Sequence, residues 1–319
     1  MNVLVTGAAG FIGSHLAERL VTLGHTVRGL DCLTDFYSNQ LKNLNLSQLQ
    51  TQGIDVSLLD LVSGNLTDAI ADIDIVFHLA AQPGLSSTTP FDTYVRNNLI
   101  ATHQLLNVLE KSSTLKLFVN VSTSSVYGAD ATRDETTLPK PTSTYGVTKL
   151  AAEQLALAFQ REGSVPVCSM RLFSVYGPRE RPEKLYPKLI ESILSKKKFP
   201  LREGSKIHER SYTYIDDAVN GLTATLDHYE QCVGEIFNIG TDICITTGEG
   251  IDIVENIIGQ KALISNEPRR TGDQLKTHAN ISKARRILGY NPTTSAEDGL
   301  RNEVEWYQEN IFEKIDLWS

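Results

Sequence analysis

A tyrosine and a lysine four residues apart are the side chains of this sequence best suited to acid–base chemistry. Tyr145 and Lys149 stand in the segment Ser143-Thr-Tyr-Gly-Val-Thr-Lys149, and on a helix this spacing places both on one face, one turn apart. A lysine ammonium stabilises a nearby phenolate, and the positive charge of an oxidised nicotinamide would act in the same direction. A tyrosine with a lowered pKa can act as a general base near neutral pH. Thr123 supplies a hydroxyl for the same proton. The set predicts proton removal from a substrate hydroxyl.

The start of the chain makes a catalytic role for Tyr145 and Lys149 more specific, because it has the pattern of a dinucleotide-binding strand, turn and helix. The apolar run Val3–Val5 is typical of a buried parallel strand. Glycines follow it at three-residue spacing and lead into a helical pattern. They allow a tight turn and let a pyrophosphate approach the helix N-terminus, where N–H groups and the helix dipole favour anions. The predicted cofactor contacts here are Gly7, Gly10, Phe11, Ile12 and Gly13.

Asp31 follows the second apolar run, residues 26–30, and indicates which nicotinamide cofactor is bound. A carboxylate at the end of this strand accepts hydrogen bonds from both hydroxyls of the adenine ribose. It also repels a 2′-phosphate, and no arginine or lysine immediately follows it. The sequence therefore predicts NAD rather than NADP.

Apolar runs alternate with helical patterns up to about residue 173, which predicts an α/β fold with a Rossmann-type doubly wound parallel sheet. The predicted strands are Val3–Val5, Val27–Leu30, Ile75–Leu79, Leu117–Val121 and Val167–Leu172. After Pro178, charged and proline-containing segments separate short helices. We predict an NAD-binding domain over 1–173, to which 212–243 returns, and a smaller α/β substrate domain over 174–319.

Composition limits the classes of partner and cellular location. The 319 residues are 41% hydrophobic with a formal net charge of −8 and a pI of about 5.4, so no nucleic acid partner is expected. The sequence contains no apolar run of about 18 residues, so no membrane span is expected. The first strand begins at residue 3, which leaves no room for a signal peptide. Four cysteines without paired spacing and seven scattered histidines predict reduced, buried thiols, a cytoplasmic protein and no metal site.

Together these motifs resemble the extended short-chain dehydrogenase/reductase family, in its nucleotide-sugar epimerase branch, over essentially the whole chain. The resemblance is carried by Thr6–Gly13, His78–Ala81, Asn98, Thr123, the Tyr145 and Lys149 pair, and Arg171–Pro178. It implies that Asp60 and Leu61 flank the adenine, that Asn98 steadies the active-site helix, and that Phe173 contacts the nicotinamide. The implied cofactor contacts also include Leu79, Ala80, Ala81, Tyr145 and Lys149, with His78 as a structural residue.

The same resemblance assigns a UDP-sugar to the second half of the chain. It places Arg210 on the diphosphate, since a guanidinium suits a bidentate grip on phosphate, and Arg270 and Asp273 at phosphate and the uridine ribose. The predicted substrate contacts are Ser124, Ser125, Ser174, Arg181, Lys188, Arg210, Arg270 and Asp273. Helices near 95–110 and 145–161 resemble those that form a four-helix interface in relatives, which predicts a homodimer.

The two serines after Thr123 narrow the reaction type. Dehydratases of the branch carry Asp-Glu there, because expelling a hydroxyl needs an acid and removing the C5 proton needs a base; decarboxylases carry Ser-Glu. Ser124 and Ser125 do not titrate usefully, so reversible hydride transfer remains. Tyr145 takes the proton of the sugar 4-hydroxyl while hydride passes to NAD, and hydride then returns to the other face of the 4-keto sugar. The predicted activity is 4-epimerisation.

The sequence leaves two candidate sugars for the substrate. The segments Thr123–Ser125 and Arg179–Pro182, together with Ser174, resemble UDP-glucuronate 4-epimerases, in which small hydroxyls receive the C5 carboxylate. Those relatives carry an arginine shortly after the Pro-Gly pair, where this chain has Leu85 and Ser86. Conversion of UDP-glucuronate to UDP-galacturonate is the preferred reading, and UDP-glucose 4-epimerisation is the alternative. A non-catalytic NAD-binding regulator, from another class, would not need the predicted catalytic set.

Overall fold

A computed structural model describes residues 1–84, 88–268 and 276–315 of the protein. Its strands are β1 (Asn2–Thr6), β2 (Thr26–Asp31), β3 (Asp55–Leu58), β4 (Ile75–His78), β5 (Leu117–Thr123), β6 (Val167–Leu172), β7 (Val175–Tyr176), β8 (Lys198–Arg202), β9 (Glu209–Arg210), β10 (Thr213–Tyr214), β11 (Ile236–Ile239), β12 (Ile245–Thr246) and β13 (Leu263–Glu267). Its α-helices are α1 (Phe11–Thr22), α2 (Asn39–Thr51), α3 (Phe91–Tyr94), α4 (Ala101–Leu109), α5 (Thr144–Arg161), α6 (Leu185–Leu194), α7 (Ile215–Thr223), α8 (Tyr229–Cys232), α9 (Thr247–Ile258), α10 (Ser282–Leu288) and α11 (Ala296–Asn310). A π-helix (Val95–Ile100) joins α3 to α4, and 3-10 helices span Ser124–Tyr127 and Ser205–Ile207.

Seven parallel strands form the central sheet, in the order β11-β6-β5-β4-β1-β2-β3. The chain builds outward from β1 through β2 and β3 on one side, and then through β4, β5 and β6 on the other. Sheets of this kind bind ligands at the carboxyl ends of the strands, where the strand order reverses. Thr6 and His78, the last residues of β1 and β4, pair in register at that point. The predicted doubly wound sheet is confirmed, and β3 is an edge strand that the sequence did not reveal.

Both faces of the sheet are covered, which explains the continuous apolar runs of its strands. Successive side chains of a strand point to opposite faces. Val3 and Val5 accordingly lie in one buried cluster, whereas Leu4 lies in a second. Helix α1 packs in the first cluster through Leu16 and Leu20, and α4 packs in the second. The ends of the central strands are therefore held on a rigid platform.

The helix predicted near residues 95–110 is interrupted by the π-helix. Asn98 lies in that π-helix and is buried. Its Oδ1 accepts a hydrogen bond from the backbone N–H of Gln82 (2.7 Å), and its Nδ2 donates to Thr148 Oγ1 on α5 (3.0 Å). The wider π turn coincides with a side chain that bridges two neighbouring segments. Asn98 thereby connects the segment after β4 to α5, the helix that carries Tyr145.

A fully buried ion pair ties α5 to the sheet. Arg171 on β6 donates from Nη2 and Nε to the two carboxylate oxygens of Glu153, at 2.6 and 3.0 Å. The two side chains are 1% and 0% exposed. Ser169 Oγ donates to the same carboxylate, and the guanidinium lies over the ring of Tyr127. Because Glu153 is one turn beyond Lys149, this ion pair fixes the orientation of the face of α5 that carries Tyr145 and Lys149.

The second half of the chain adds three small two-stranded sheets, β7 with β10, β8 with β13, and β9 with β12. Strand β11 lies in the large sheet beside β6. Of the four cysteines, Cys168 and Cys232 are buried as predicted, but Cys32 is exposed and Cys244 is half-buried, because both stand in loops after strands. Among the described residues no helix is long and apolar enough to cross a membrane.

Candidate functional site

A cleft of about 1500 Å³ opens at the carboxyl edge of the sheet and brings together most of the predicted site residues. They come from the ends of β1 to β6, from α1 and α5, from the segment before α6, and from β9. The predicted residues that line the cleft are Gly7, Gly10, Phe11, Ile12, Gly13, Asp31, Asp60, Leu61, Leu79, Ala80, Ala81, Thr123, Ser124, Ser125, Tyr145, Lys149, Phe173, Ser174, Arg181 and Arg210. The cleft is thus one continuous site rather than two.

The glycine turn at the start of α1 is as tight as the sequence predicted. Gly7 has φ +72°, a conformation that favours glycine. A Cβ on Gly13 would lie 2.1 Å from the carbonyl oxygen of Gly7, so no larger residue fits there. Gly10 caps α1 without a side-chain hydrogen bond. A dinucleotide pyrophosphate fits this cradle, since backbone can approach it closely at the positive end of the helix dipole.

Asp31 stands at the end of β2 with its carboxylate already oriented. Its two oxygens accept hydrogen bonds from the backbone N–H groups of Ala9 (3.0 Å) and Leu33 (2.9 Å). Sequence inspection missed the nearby cation Lys42, which α2 brings back to the same part of the cleft. Lys42 is buried, and its Nζ donates to the Thr34 carbonyl. Burial lowers the pKa of Lys42, and the charge of Asp31 works in the opposite direction.

Asp60, which the resemblance places beside the adenine, forms an ion pair with Arg96 at 2.6 Å. Burial works to raise the pKa of Asp60, but hydrogen bonds from Arg96 and from the backbone N–H of Val62 outweigh it and lower that pKa. Arg96 stands in the π-helix and also lines the cleft. The sequence did not single it out, because its neighbour in space is 36 residues away.

The predicted catalytic residues meet at the end of β5. Thr123 ends the strand, Ser124 and Ser125 start the 3-10 helix that follows, and the Thr123 hydroxyl accepts a hydrogen bond from the Ser125 backbone N–H at 3.2 Å. The Tyr145 hydroxyl is hydrogen-bonded to the same Thr123 hydroxyl. Lys149 donates from Nζ to the Val121 carbonyl at 2.7 Å. A substrate hydroxyl placed here faces two hydroxyls that can pass its proton.

Burial, rather than charge, dominates the pKa of Tyr145. Burial raises the pKa of this phenol above its ordinary value of 10, and the Thr123 hydrogen bond and the charge of Arg181 offset that only in part. Burial also lowers the pKa of Lys149 to about 8. Without NAD, the chain's own groups therefore do not lower the pKa of Tyr145; the expected lowering combines Lys149 with the positive charge of an oxidised nicotinamide. Lys149 remains mostly protonated at pH 7, and additional positive charge is needed to stabilise a phenolate.

His78, the last residue of β4, forms buried hydrogen bonds next to the cleft. Its ring nitrogens contact the hydroxyls of Thr6 (2.8 Å) and Thr102 (2.9 Å), and the Thr6 hydroxyl in turn accepts from the backbone N–H of Ala80. Burial and the charge of Lys149 lower the pKa of His78 to about 3, so it stays neutral. These contacts agree with the structural role implied for His78 and exclude it as the base.

Cations line the opposite end of the cleft, though not all of those predicted. Arg181 and Arg210 line it, while Lys188 lies on α6, half-buried and outside the lining. Lys184 and Arg202, which sequence inspection missed, do line it. Lys184 is one turn before Lys188. Arg270 and Asp273 lie outside the described residues.

Proton removal beside a dinucleotide cradle, at the switch point of a doubly wound sheet, defines the short-chain dehydrogenase/reductase class of enzymes. Comparison with known proteins specifies the family: residues 3–240 match the NAD dependent epimerase/dehydratase family. The chain belongs to this family, and the predicted membership is confirmed.

Three similar proteins place the chain within the family. A Bacillus subtilis protein described as an uncharacterized UDP-glucose epimerase, YtcB, is 38% identical over 96% of this chain and 98% of its own length. UDP-glucuronate 4-epimerase 3 of Arabidopsis thaliana is 34% identical over 96% of this chain and 76% of its own length. The crystal structure of UDP-glucuronic acid 4-epimerase from Bacillus cereus, in complex with UDP-glucuronic acid and NAD, is 36% identical with a TM-score of 0.92, covering 97% of this chain and 99% of that one.

Proposed function

We propose that this protein is an NAD-dependent UDP-sugar 4-epimerase that interconverts UDP-glucuronate and UDP-galacturonate. The observation that carries the proposal is the geometry at the end of β5. There Thr123 and Tyr145 share a hydrogen bond, Lys149 lies one turn from Tyr145, and two serines stand where other reactions of the family need carboxylates. Residues 1–173 with 212–243 would hold NAD, and residues 174–319 would hold the UDP-sugar.

Each catalytic residue has a distinct task in this reaction. The Tyr145 oxygen takes the proton of the sugar 4-hydroxyl and later returns it, and Thr123 orients both hydroxyls through its hydrogen bond. Lys149 supplies a positive charge, which its pKa of about 8 maintains at neutral pH. NAD, when bound, accepts the hydride from C4, and its nicotinamide charge adds to that of Lys149. Between the two transfers the 4-keto sugar must present its other face.

The lining of the cleft argues against elimination chemistry. Among its described residues the carboxylates are Asp31, Asp35, Asp60 and Glu183. The first three belong to the adenosine end, and Glu183 forms an ion pair with Arg181 at 2.8 Å. No carboxylate of the described lining is therefore free beside Tyr145 to act as the acid or base that a dehydratase requires. Epimerisation needs none.

Arg181 can take the place of the arginine that UDP-glucuronate 4-epimerases carry shortly after the Pro-Gly pair and that this chain lacks. Its guanidinium comes from the second half of the chain, yet Nη2 would lie 3.2 Å from a Cβ built on Gly84. Its charge also acts on the pKa of Tyr145. A cation is thus supplied to the sugar end by a different segment. This supports UDP-glucuronate over the runner-up UDP-glucose, to which the name of the Bacillus subtilis relative points.

We expect Ser125→Ala to weaken epimerisation of UDP-glucuronate and to release more UDP-4-keto-pentose. Oxidation at C4 makes a β-keto acid, which loses carbon dioxide when the C5–carboxylate bond stands perpendicular to the ketone. Hydroxyl donors hold that bond nearer the plane, and charge-assisted hydrogen bonds of this kind contribute about 1.5–3 kcal/mol each. NMR of the products from a panel of UDP-sugars gives both measurements. Equal rates on UDP-glucose and UDP-glucuronate in the unaltered protein would contradict a carboxylate pocket.

The choice between NAD and NADP is expected to depend on Asp31. In Asp31→Ala the preference for NAD should narrow, chiefly because NAD loses its ribose hydrogen bonds, and because buried Lys42 can then attract a 2′-phosphate without an opposing carboxylate. Binding of both cofactors by calorimetry measures the ratio, and Asp35→Ala serves as a control acid of the same cleft. Finding NADP in the purified unaltered protein would contradict the assignment.

We propose that the protein is a homodimer through α5 and the helices around the π-helix. Three large apolar side chains are exposed there: Phe91 (53%), Ile100 (39%) and Val147 (46%). An exposed apolar face of this kind is typical of an interface between subunits. Light scattering should give twice the chain mass, and Ile100→Glu with Val147→Glu should halve it, whereas Leu138→Glu, at another exposed leucine, should not. A monomer before substitution would refute the proposal.

A further inference from the structure

The helix that forms the cofactor cradle is also bonded to the segment that carries Arg181. Glu18, on α1, accepts two hydrogen bonds from Arg179 Nη2, at 3.0 and 3.1 Å. The two residues are 161 positions apart in the chain. Phe11, which lines the cleft, begins the same helix two turns before Glu18. A rigid element thus reaches from the dinucleotide cradle to Arg179.

Arg179 depends strongly on that contact. It is buried and has φ +69°, a left-handed conformation that a non-glycine residue keeps only when its surroundings hold it. Its Nε and Nη1 are buried and have no hydrogen-bond partner among the described residues. Neighbouring His15 adds no second positive charge, since burial and the charge of Arg179 lower its pKa to about 3 and keep it neutral. Removing Glu18 would leave a buried guanidinium without a counterion.

Arg181, two residues after Arg179, is the cation of this segment that reaches the cleft. The Arg181 guanidinium lies between the ring of Phe36 (5.4 Å) and Gly84, largely buried, and it acts on the pKa of Tyr145. It therefore faces the end of the cleft where the sugar must react. Glu183 is its ion-pair partner but is half-exposed. The firm attachment of this segment on the cofactor side is the Glu18 contact.

Glu180, between Arg179 and Arg181, lies against helix α11 on the side away from α1. Glu180 and Glu303 of α11 are both buried, and burial raises the pKa of both; the charge of Glu180 raises the pKa of Glu303 further. Lys184, Arg181 and Glu183 face Glu180 as well. The segment is therefore held between α1 and α11. Only the α1 side leads to the cofactor.

We propose that Glu18 is a positioning residue for the sugar end of the active site: by fixing Arg179, the cofactor-binding helix sets the place of Arg181. This inference rests on the proposed function in taking a uronate sugar as the substrate. It assigns to α1 a role in substrate discrimination besides its role at the pyrophosphate. It also explains why Arg179 is tolerated in a strained conformation.

The test uses Glu18→Gln and Arg179→Met in the NAD-loaded protein, with UDP and UDP-glucuronate as separate probes in calorimetry. Both variants should bind UDP-glucuronate about tenfold more weakly, the scale of one misplaced charge-assisted hydrogen bond. UDP, which lacks the sugar, should bind within about twofold of the unaltered protein, and NAD content should not change. The fraction of decarboxylated product should rise, as it should in Arg181→Gln. Because the residues form one chain of contacts, the double variant should be no worse than either single one.

Asp242→Asn is the matched control, because Arg285 grips Asp242 with two hydrogen bonds at a half-exposed place outside the cleft. It should leave every readout unchanged. Unchanged UDP-glucuronate affinity and product ratio in Glu18→Gln would overturn the inference. Equal losses of UDP, UDP-glucuronate and NAD would also overturn it, since that is the result of a general structural role. Failure of the unaltered protein to convert UDP-glucuronate would instead refute the proposed function, and calorimetry would still decide on Glu18.

Discussion

Tyr145→Phe is expected to lower turnover about 100-fold or more, while folding and NAD binding stay intact. The substitution removes one oxygen, and a positioned acid–base group contributes 10²–10⁴-fold, roughly, to such a step. The ring stays in place because it is packed beside Tyr94, with centroids 6.3 Å apart. Thr123 loses the Tyr145 hydroxyl but keeps the hydrogen bond from the Ser125 backbone N–H, so the end of β5 should stay in place. Initial rates with UDP-glucuronate and the NAD content of the purified variant are the measurements.

Tyr307→Phe is the control for loss of a buried tyrosine hydroxyl. Tyr307 donates to Glu191 at 3.1 Å between α11 and α6, outside the cleft, and its removal should leave turnover within about twofold. Lys149→Met should be at least as damaging as Tyr145→Phe, because it removes both the positive charge and the bond to the Val121 carbonyl. Near-normal turnover in Tyr145→Phe would end the assignment of this residue as the base.

Glu153→Gln is expected to lower the free energy of unfolding by about 3–5 kcal/mol, the usual result of removing one partner of a buried ion pair. The guanidinium of Arg171 would stay buried over Tyr127 with a neutral partner. The change also reaches the active site, since the charge of Glu153 raises the pKa of Lys149. Without it that pKa falls below about 8, and less of Lys149 is protonated at pH 7. Activity near neutral pH should therefore fall further than stability alone explains.

Urea unfolding measures the first effect and the pH dependence of turnover measures the second. Glu255→Gln is the matched control, because Glu255 is buried but its partner Lys261 is 75% exposed and can return to water. It should change the free energy of unfolding by about 1 kcal/mol or less. A Glu153→Gln protein as stable as the unaltered one would show that the buried pair contributes nothing beyond packing.

Features with local physical causes were predicted correctly from the sequence. The glycine spacing defines a turn within seven residues. The strand, turn and helix around it can therefore be predicted without knowing any distant contact. Tyr145 and Lys149 share a face because of the helical repeat alone. Thr123 and Asp31 lie at strand ends, and the carboxyl ends of parallel strands meet at one edge. Together these residues indicated the family, which the comparisons confirm, and predicted where NAD binds.

Contacts between distant segments were decided only by the tertiary structure. Lys42 returns to Asp31 on α2, and Arg181 reaches Gly84 from the second half of the chain. The raised pKa of Tyr145 in the protein without NAD has the same origin, because burial depends on everything packed around the ring rather than on Lys149 alone. Spacing along a chain reports neither desolvation nor which charges meet across 161 residues, as Glu18 and Arg179 do. The sugar end of the site, built from such contacts, therefore emerged only from the fold.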